Sequence, residues 1–205
     1  MSTRAFSAAS FSFPRAIGLS TRFRTPPRRN PHYLGLQTDH RGKLAPDFPN
    51  GDRITIEEVL THYSGLADAS STPEFNDWSR FPQTPASLVE RLAKLPPRSE
   101  PGTRYSYSNS NYHLLSLIVE KVSGVSYGDF LDQNIFKPLE MTSTAHHGDD
   151  KQIIAEMAAG YLPKDADAFE KPPYFDWTAK TGNGSLYTTA GDLLTFYRAL
   201  RTASA

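Results

Sequence analysis

The chain has 205 residues, 38% of them apolar and 21% charged, with 22 basic side chains balanced by 22 acidic ones. That length accommodates one domain with a real core and is short for two. Zero net charge gives no electrostatic reason to bind nucleic acid or an anionic membrane surface, no apolar run is long enough to span a bilayer, and the absence of cysteine excludes disulfides and thiolate chemistry.

The charge is unevenly placed. Residues 1–37 hold six arginines (Arg4, Arg15, Arg22, Arg24, Arg28 and Arg29) and no acid. An Arg- and Ser-rich, acid-free start is the composition of a mitochondrial transit peptide. Against that, Pro14, Pro26, Pro27 and Pro31 would interrupt a long amphipathic helix. A disordered leader, or a stretch out of reading frame, fits the same residues. We therefore expect an irregular or disordered leader over residues 1–42 and a partial domain over residues 43–205.

Periodic patterning begins at Ile54. Thr55-Ile-Glu-Glu58 reads as a capping box that opens a helix through Ile56, Val59 and Leu60 and stops near Ser64-Gly65. Thr84-Pro85 opens a second helix, with proline tolerated in the first turn and Leu88, Leu92 and Leu95 inward. A third runs from about Ser110 to Ser123, with Leu114, Leu115, Ile118, Val119 and Val122 inward and Gly124 as its stop. Ser126 opens a fourth through Phe130, Leu131 and Ile135, with Pro138 beyond its end. The stretch between about 145 and 185 is polar and rich in Pro and Gly, with short strands expected at Ala158–Leu162 and Ser185–Thr188. Thr189-Ala-Gly-Asp192 opens a fifth helix through Leu193, Leu194, Tyr197 and Leu200. Helices dominate, and the strands are too few for a complete sheet.

The densest chemical signal is Pro101-Gly-Thr-Arg-Tyr-Ser-Tyr-Ser-Asn-Ser-Asn-Tyr112. Alternate residues of an extended segment point the same way, so Tyr107 and Asn109 should present a phenol and an amide side by side at the mouth of the third helix. As a bare pattern Tyr-x-Asn is weak, and a polar turn with a packed aromatic accounts for it equally well. Other candidates are weaker still. His62 and Ser64 sit at a helix end, where packing or capping explains them. His146-His147-Gly-Asp-Asp150 crowds potential metal ligands into one loop, whereas structural metal sites draw ligands from two elements. Trp78, Phe81, Tyr174, Phe175 and Trp177 read as loop aromatics packed on helices, or as walls of a cleft. Neither a metal nor an organic cofactor is expected.

Four segments in order give the pattern its context. Asn50-Gly-Asp-Arg-Ile-Thr-Ile-Glu-Glu-Val-Leu-Thr-His-Tyr-Ser-Gly-Leu66, Pro101–Tyr112, Ile135-Phe-Lys-Pro-Leu-Glu-Met141 and Gly184-Ser-Leu-Tyr-Thr-Thr-Ala-Gly-Asp-Leu193 together resemble the serine β-lactamase family. The branch is that of class C β-lactamases, D-alanyl-D-alanine carboxypeptidases and related esterases. The resemblance implies an α+β fold, here mostly the helical part of a β-lactamase/transpeptidase-like domain with an incomplete antiparallel sheet. It also implies acyl transfer, in which a serine attacks a β-lactam, a D-Ala-D-Ala peptide or an ester to form an acyl-enzyme that water then hydrolyses. By position Tyr107 would be the general base or proton relay, and Asn109 the group that orients substrate. The implied partner is a small-molecule or peptide substrate.

One part of the family's apparatus is missing from these residues. The nucleophile lies in a Ser-x-x-Lys motif, and none of the lysines at 43, 94, 121, 137, 151, 164, 171 and 180 has a serine three places before it. Ala16-Ile-Gly-Leu-Ser20 faintly echoes the approach to a nucleophile, but Phe23 stands where the lysine should be. Ser12 has Arg15 at that spacing, and a guanidinium cannot accept the proton. Lys180-Thr-Gly182 has the composition of the family's third motif, but it precedes a segment that should come earlier, so it reads as a turn. A phenol, with an ordinary pKa of about 10, is no base at neutral pH unless cations lower it. The chain as given is therefore expected to be a truncated, inactive hydrolase. The competing reading is a non-catalytic binding or interaction protein that kept the cleft around Tyr107.

Overall fold

The computed structural model describes residues 48–148 and 153–203. The arginine-rich first residues, with Ser12 and Ser20, and Lys43 and the Asp149–Lys151 stretch lie outside the described residues.

Among the described residues, six helices carry the architecture. Thr55 caps α1 (Ile56–Leu60) as a reciprocal box: its Oγ1 accepts from Glu58 N–H at 3.2 Å, and Glu58 Oε2 accepts from Thr55 N–H at 2.8 Å. A box of this kind contributes about 1 kcal/mol. Helix α1 ends sooner than Ser64-Gly65. His62 turns left-handed at φ +62°, and Gly65 instead runs backbone to backbone with Ser99, where a Cβ would lie 2.1 Å from the Ser99 carbonyl oxygen. A single turn at Ala69–Ser71 and a short α2 (Phe75–Trp78) follow, neither of which periodicity announces. Helix α3 (Pro85–Ala93) starts on the Thr84 cap and buries Leu88 and Leu92.

Helix α4 (Asn109–Ser123) is the axis of the domain. Its buried face is not the expected aliphatic one. Leu114 and Leu117 are inward, but Ser110, Asn111, His113 and Ser116 share that face, and Val122 is exposed. Helix α5 (Tyr127–Leu131) continues through a wider π-turn at Asp132–Phe136. Two cores result. One gathers Ile54, Val59, Leu66, Trp78, Leu88, Leu92, Leu114 and Leu117 around α4. The other joins Leu131, Phe136 and Met141 with Phe196 of α6 (Ala190–Ala203).

The strands are short and antiparallel. β1 (Ala145–His146) pairs with β4 (Leu186–Tyr187), and β2 (Leu162–Pro163) with β3 (Phe169–Glu170). The strand expected at Ser185–Thr188 shrinks to Leu186–Tyr187, and of the one expected at Ala158–Leu162 only Leu162 is in a strand, paired as part of β2. Helix α6 forms where its cap and periodicity place it, yet Leu193, Leu194 and Tyr197 of the expected apolar face are exposed. Among the described residues, no helix is long and apolar enough to cross a membrane.

His113 ties α4 to the turn at Trp177–Lys180. Its Nδ1–H donates to the Thr181 carbonyl at 2.7 Å, and among the described residues its buried Nε2 has no protein partner. Gly182, at φ +86°, presses directly on α4, where a Cβ would stand 2.3 Å from the Tyr112 carbonyl oxygen. Burial pushes the His113 imidazole down to about 4, with the Thr181 bond opposing. The unfolded chain thus takes up this proton before the folded one. Full stability from this group is present above pH 6.5, begins to be lost as pH falls below it, and is gone near pH 4. The shift corresponds to about 3 kcal/mol. We expect the melting temperature to fall across that window, and His113→Gln to flatten the dependence. Equal pH profiles for the two proteins would contradict it.

Candidate active site

The candidate site is built where the segment before α4 runs beside the segment after α1. Gly102 N–H donates to the Tyr63 carbonyl at 2.8 Å, and Ser106 N–H to the His62 carbonyl at 2.9 Å. Ser108 is extended and fully buried, and its Oγ donates to the Ala67 carbonyl at 3.1 Å. The chain therefore enters α4 held by three hydrogen bonds, two from backbone N–H groups and one from the Ser108 hydroxyl, with Tyr107 just before Ser108 and Asn109 as the first helical residue.

Tyr107 and Asn109 are joined directly. The Tyr107 hydroxyl donates to Asn109 Oδ1 at 3.2 Å, and Asn109 Nδ2 donates to Asp68 Oδ2 at 2.9 Å. Asp68 is buried and heavily engaged. Its Oδ1 accepts from Ser70 N–H at 2.9 Å, and its Oδ2 also accepts from the Ser71 hydroxyl at 3.0 Å. A line of hydrogen bonds thus leads from an anchored carboxylate to a phenol that is 51% exposed. Chemically it presents a fixed amide and a hydroxyl of defined orientation to whatever enters from solvent.

Behind them lies a polar core. The Ser64 hydroxyl donates to Asn111 Oδ1 at 2.6 Å, Asn111 Nδ2 lies 3.0 Å from His62 Nδ1, and Ser108 N–H donates to the same His62 nitrogen at 3.3 Å. His62 and Ser64 are therefore not a nucleophile–base pair; each is bonded to Asn111. The Tyr107 ring rests on the His62 ring at 4.5 Å and 34°.

Lys180 closes the fourth Trp177–Lys180 position with its ammonium 4.3 Å over the Phe75 ring and 5.6 Å over Phe175. Burial lowers its pKa, and the Asp68 charge opposes that. Trp78 is buried in the main core under Arg91, whereas Phe81 and Tyr174 are exposed. His146 packs on Tyr127 and His147 on Trp177, and among the described residues no group of three or more His, Asp or Glu is arranged to hold a metal. A separate cavity of about 240 Å³, with Leu88, Leu117, Glu120 and His146 in its wall, touches neither Tyr107 nor Asn109.

A family model described as Beta-lactamase matches residues 31–205. The chain belongs to the Beta-lactamase family. The chain is 33% identical over 177 residues to the putative penicillin-binding protein PbpX of Bacillus subtilis, covering 80% of this chain and 42% of that protein. It is 35% identical over 101 residues to the human serine beta-lactamase-like protein LACTB, mitochondrial, covering 49% of this chain and 18% of that one. Among solved structures, D-amino acid amidase from Ochrobactrum anthropi superposes with a TM-score of 0.67 at 28% identity, over 77% of this chain and 46% of the amidase. A D-stereospecific amidohydrolase from Streptomyces gives 0.66 at 27%, over 75% and 48%. The chain spans less than half the length of each of these relatives, and its α+β arrangement of helices with small antiparallel sheets covers part of the β-lactamase/transpeptidase-like domain.

Sequence patterns do not single out Asp68 or Asn111. Asp68 carries a local signal, an aspartate two residues before a serine at a turn, but nothing local links it to Asn109. Removing the Asp68 carboxylate leaves three partly buried donors, Ser70 N–H, the Ser71 hydroxyl and Asn109 Nδ2, without their acceptor, so Asp68→Ala should cost about 1–2 kcal/mol, with Asp68→Asn milder. Urea unfolding reads this, and a loss within 0.3 kcal/mol of zero on the ~1 kcal/mol scale of one hydrogen bond would show the carboxylate to be idle.

Proposed function

We propose that these residues form the tyrosine- and asparagine-bearing wall of an acyl-transfer cleft, with Tyr107 as the proton-handling group and Asn109 as the substrate-orienting amide, and that this chain does not itself turn substrate over. The observation that carries the reading is the hydrogen-bonded line Tyr107–Asn109–Asp68, anchored at one end and open to solvent at the other. Such a line suits a carbonyl substrate with an adjacent amide, which can meet the phenol and the asparagine together. The substrate class is a β-lactam, a D-Ala-D-Ala peptide, a D-amino acid amide or an ester. Amides and lactams are favoured by the similarity to two D-specific amide hydrolases.

Turnover needs two further parts, a nucleophilic hydroxyl and an amine to take its proton. No serine of the 205-residue sequence precedes a lysine at the required spacing. In the structure the Tyr107 hydroxyl is a donor to Asn109 Oδ1, the opposite of what a base must be. A second reading, a reversible binder of the same substrates, is favoured by the exposure of Tyr107 beside a rigid, buried support.

The two readings share one test. The folded chain is incubated with a fluorescent penicillin and with D-phenylalanine amide, and intact mass, product release and equilibrium binding are measured. We expect no covalent adduct and no product. Reversible penicillin binding that weakens about fivefold in Tyr107→Phe or Asn109→Ala, on the scale of one hydrogen bond, supports the binding reading. An acyl adduct on a serine, or hydrolysis at enzymatic rates, would overturn the proposal.

A further inference from the structure

His62 is placed where every element of the site meets. Its backbone is left-handed, its carbonyl accepts from Ser106 N–H at 2.9 Å, and its side chain is almost wholly buried. The imidazole lies between aromatic rings: Tyr107 at 4.5 Å, Tyr112 at 5.4 Å, and Tyr105 edge-on at 5.9 Å. Its Nδ1 faces Ser108 N–H at 3.3 Å and Asn111 Nδ2 at 3.0 Å.

Those contacts fix the chemical state of the ring. A backbone N–H can only donate, so Nδ1 must offer its lone pair, and the Asn111 amide, whose oxygen is engaged by Ser64, presents its NH2 to the same atom. The neutral ring must then carry its proton on Nε2. A doubly protonated ring has no lone pair at Nδ1 and would turn an N–H against two donors. The consequence falls on residues 106–111, the segment that carries Tyr107 and Asn109.

We propose that His62 is the positioning residue of this site: its neutral, Nε2-protonated imidazole holds the Tyr107 ring and the mouth of α4 in register, and protonating it releases both. The proposal rests on the reading of Tyr107 and Asn109 as the functional pair and adds what fixes and regulates them. Burial lowers the His62 pKa, with the negative charge of Asp68 opposing. The charged and titratable groups facing the ring are Asp68 from the loop after Gly65 and the phenols of Tyr105, Tyr107 and Tyr112 from the α4 side, and among the described residues its buried Nε2 has no protein hydrogen-bond partner. An imidazole has an ordinary pKa of about 6.5, so its charge is the one followed between pH 5 and 7. The neutral form prevails above 6.5 and is lost as pH falls through the lowered value.

The test uses no substrate, so it stands or falls apart from the proposed function. At pH 7.5 the nitrogen-15 imidazole spectrum of the whole chain should show His62 as the Nε2–H tautomer. With 3-fluorotyrosine incorporated, the Tyr107 resonance (assigned by its loss in Tyr107→Phe) should shift as pH falls from 7 to 5, with a midpoint below 6.5. His62→Asn keeps an acceptor at the δ position and tolerates a positive φ. It should hold the Tyr107 resonance near its neutral-pH position and abolish the titration. If acid unfolds the wild type, the tautomer and the neutral-pH spectrum of His62→Asn decide. An Nδ1–H tautomer, a Tyr107 signal indifferent to His62 protonation, or an unchanged titration in His62→Asn would overturn the proposal.

Discussion

Everything at the candidate site depends on one buried amide. Asn111 is fully enclosed on the first turn of α4, and it is bonded on one side to Ser64 and on the other to His62. An unpaired amide in that position would cost several kcal/mol, so both partners must be present for the helix to dock as it does. The residues it joins lie 47 and 49 positions away in the chain. Satisfying one side chain therefore fixes the approach of α1 to α4, and with it the register of residues 102–108 beside residues 62–63.

From that constraint the site follows. Fixing the register places Tyr107 over the His62 ring and Asn109 against Asp68. Their contacts with His62 and Asp68 hold the pair in this orientation. Rigidity of this kind is what a group that must meet a substrate carbonyl requires, since a misplacement of about 1 Å is costly in rate or affinity. Family membership is the ground on which acyl transfer is proposed. The serine–lysine pair that completes such chemistry in the family has no counterpart at Ser-x-x-Lys spacing in these 205 residues.

Much of the helical frame was legible in the sequence because its signals are local. Thr55 with Glu58, Thr84 with Pro85, Ser126 and Gly124 mark helix ends by hydrogen bonds or backbone preferences that reach no more than four residues. The inner face of α4 was not legible. It is lined by Ser110, Asn111, His113 and Ser116, and a reading that follows apolar periodicity assigns such residues to solvent. The exposed face of α6 shows the converse: Leu193, Leu194 and Tyr197 have helical spacing, but burial requires a partner that spacing does not supply. The Tyr107–Asn109 pair was visible as a spacing. Its support by Asp68 and His62 crosses 41 to 46 residues of sequence and is visible only in the fold.

The central claim, that residues 102–108 are locked to residues 62–63 as part of the core and are not a loose loop, is tested most directly by amide hydrogen exchange. The account predicts that Ser106 and Ser108 exchange as slowly as Leu114 and Leu117 in the middle of α4, through the same cooperative opening. Exchange of these two amides at the rate of an open surface loop, with α4 still protected, would contradict it.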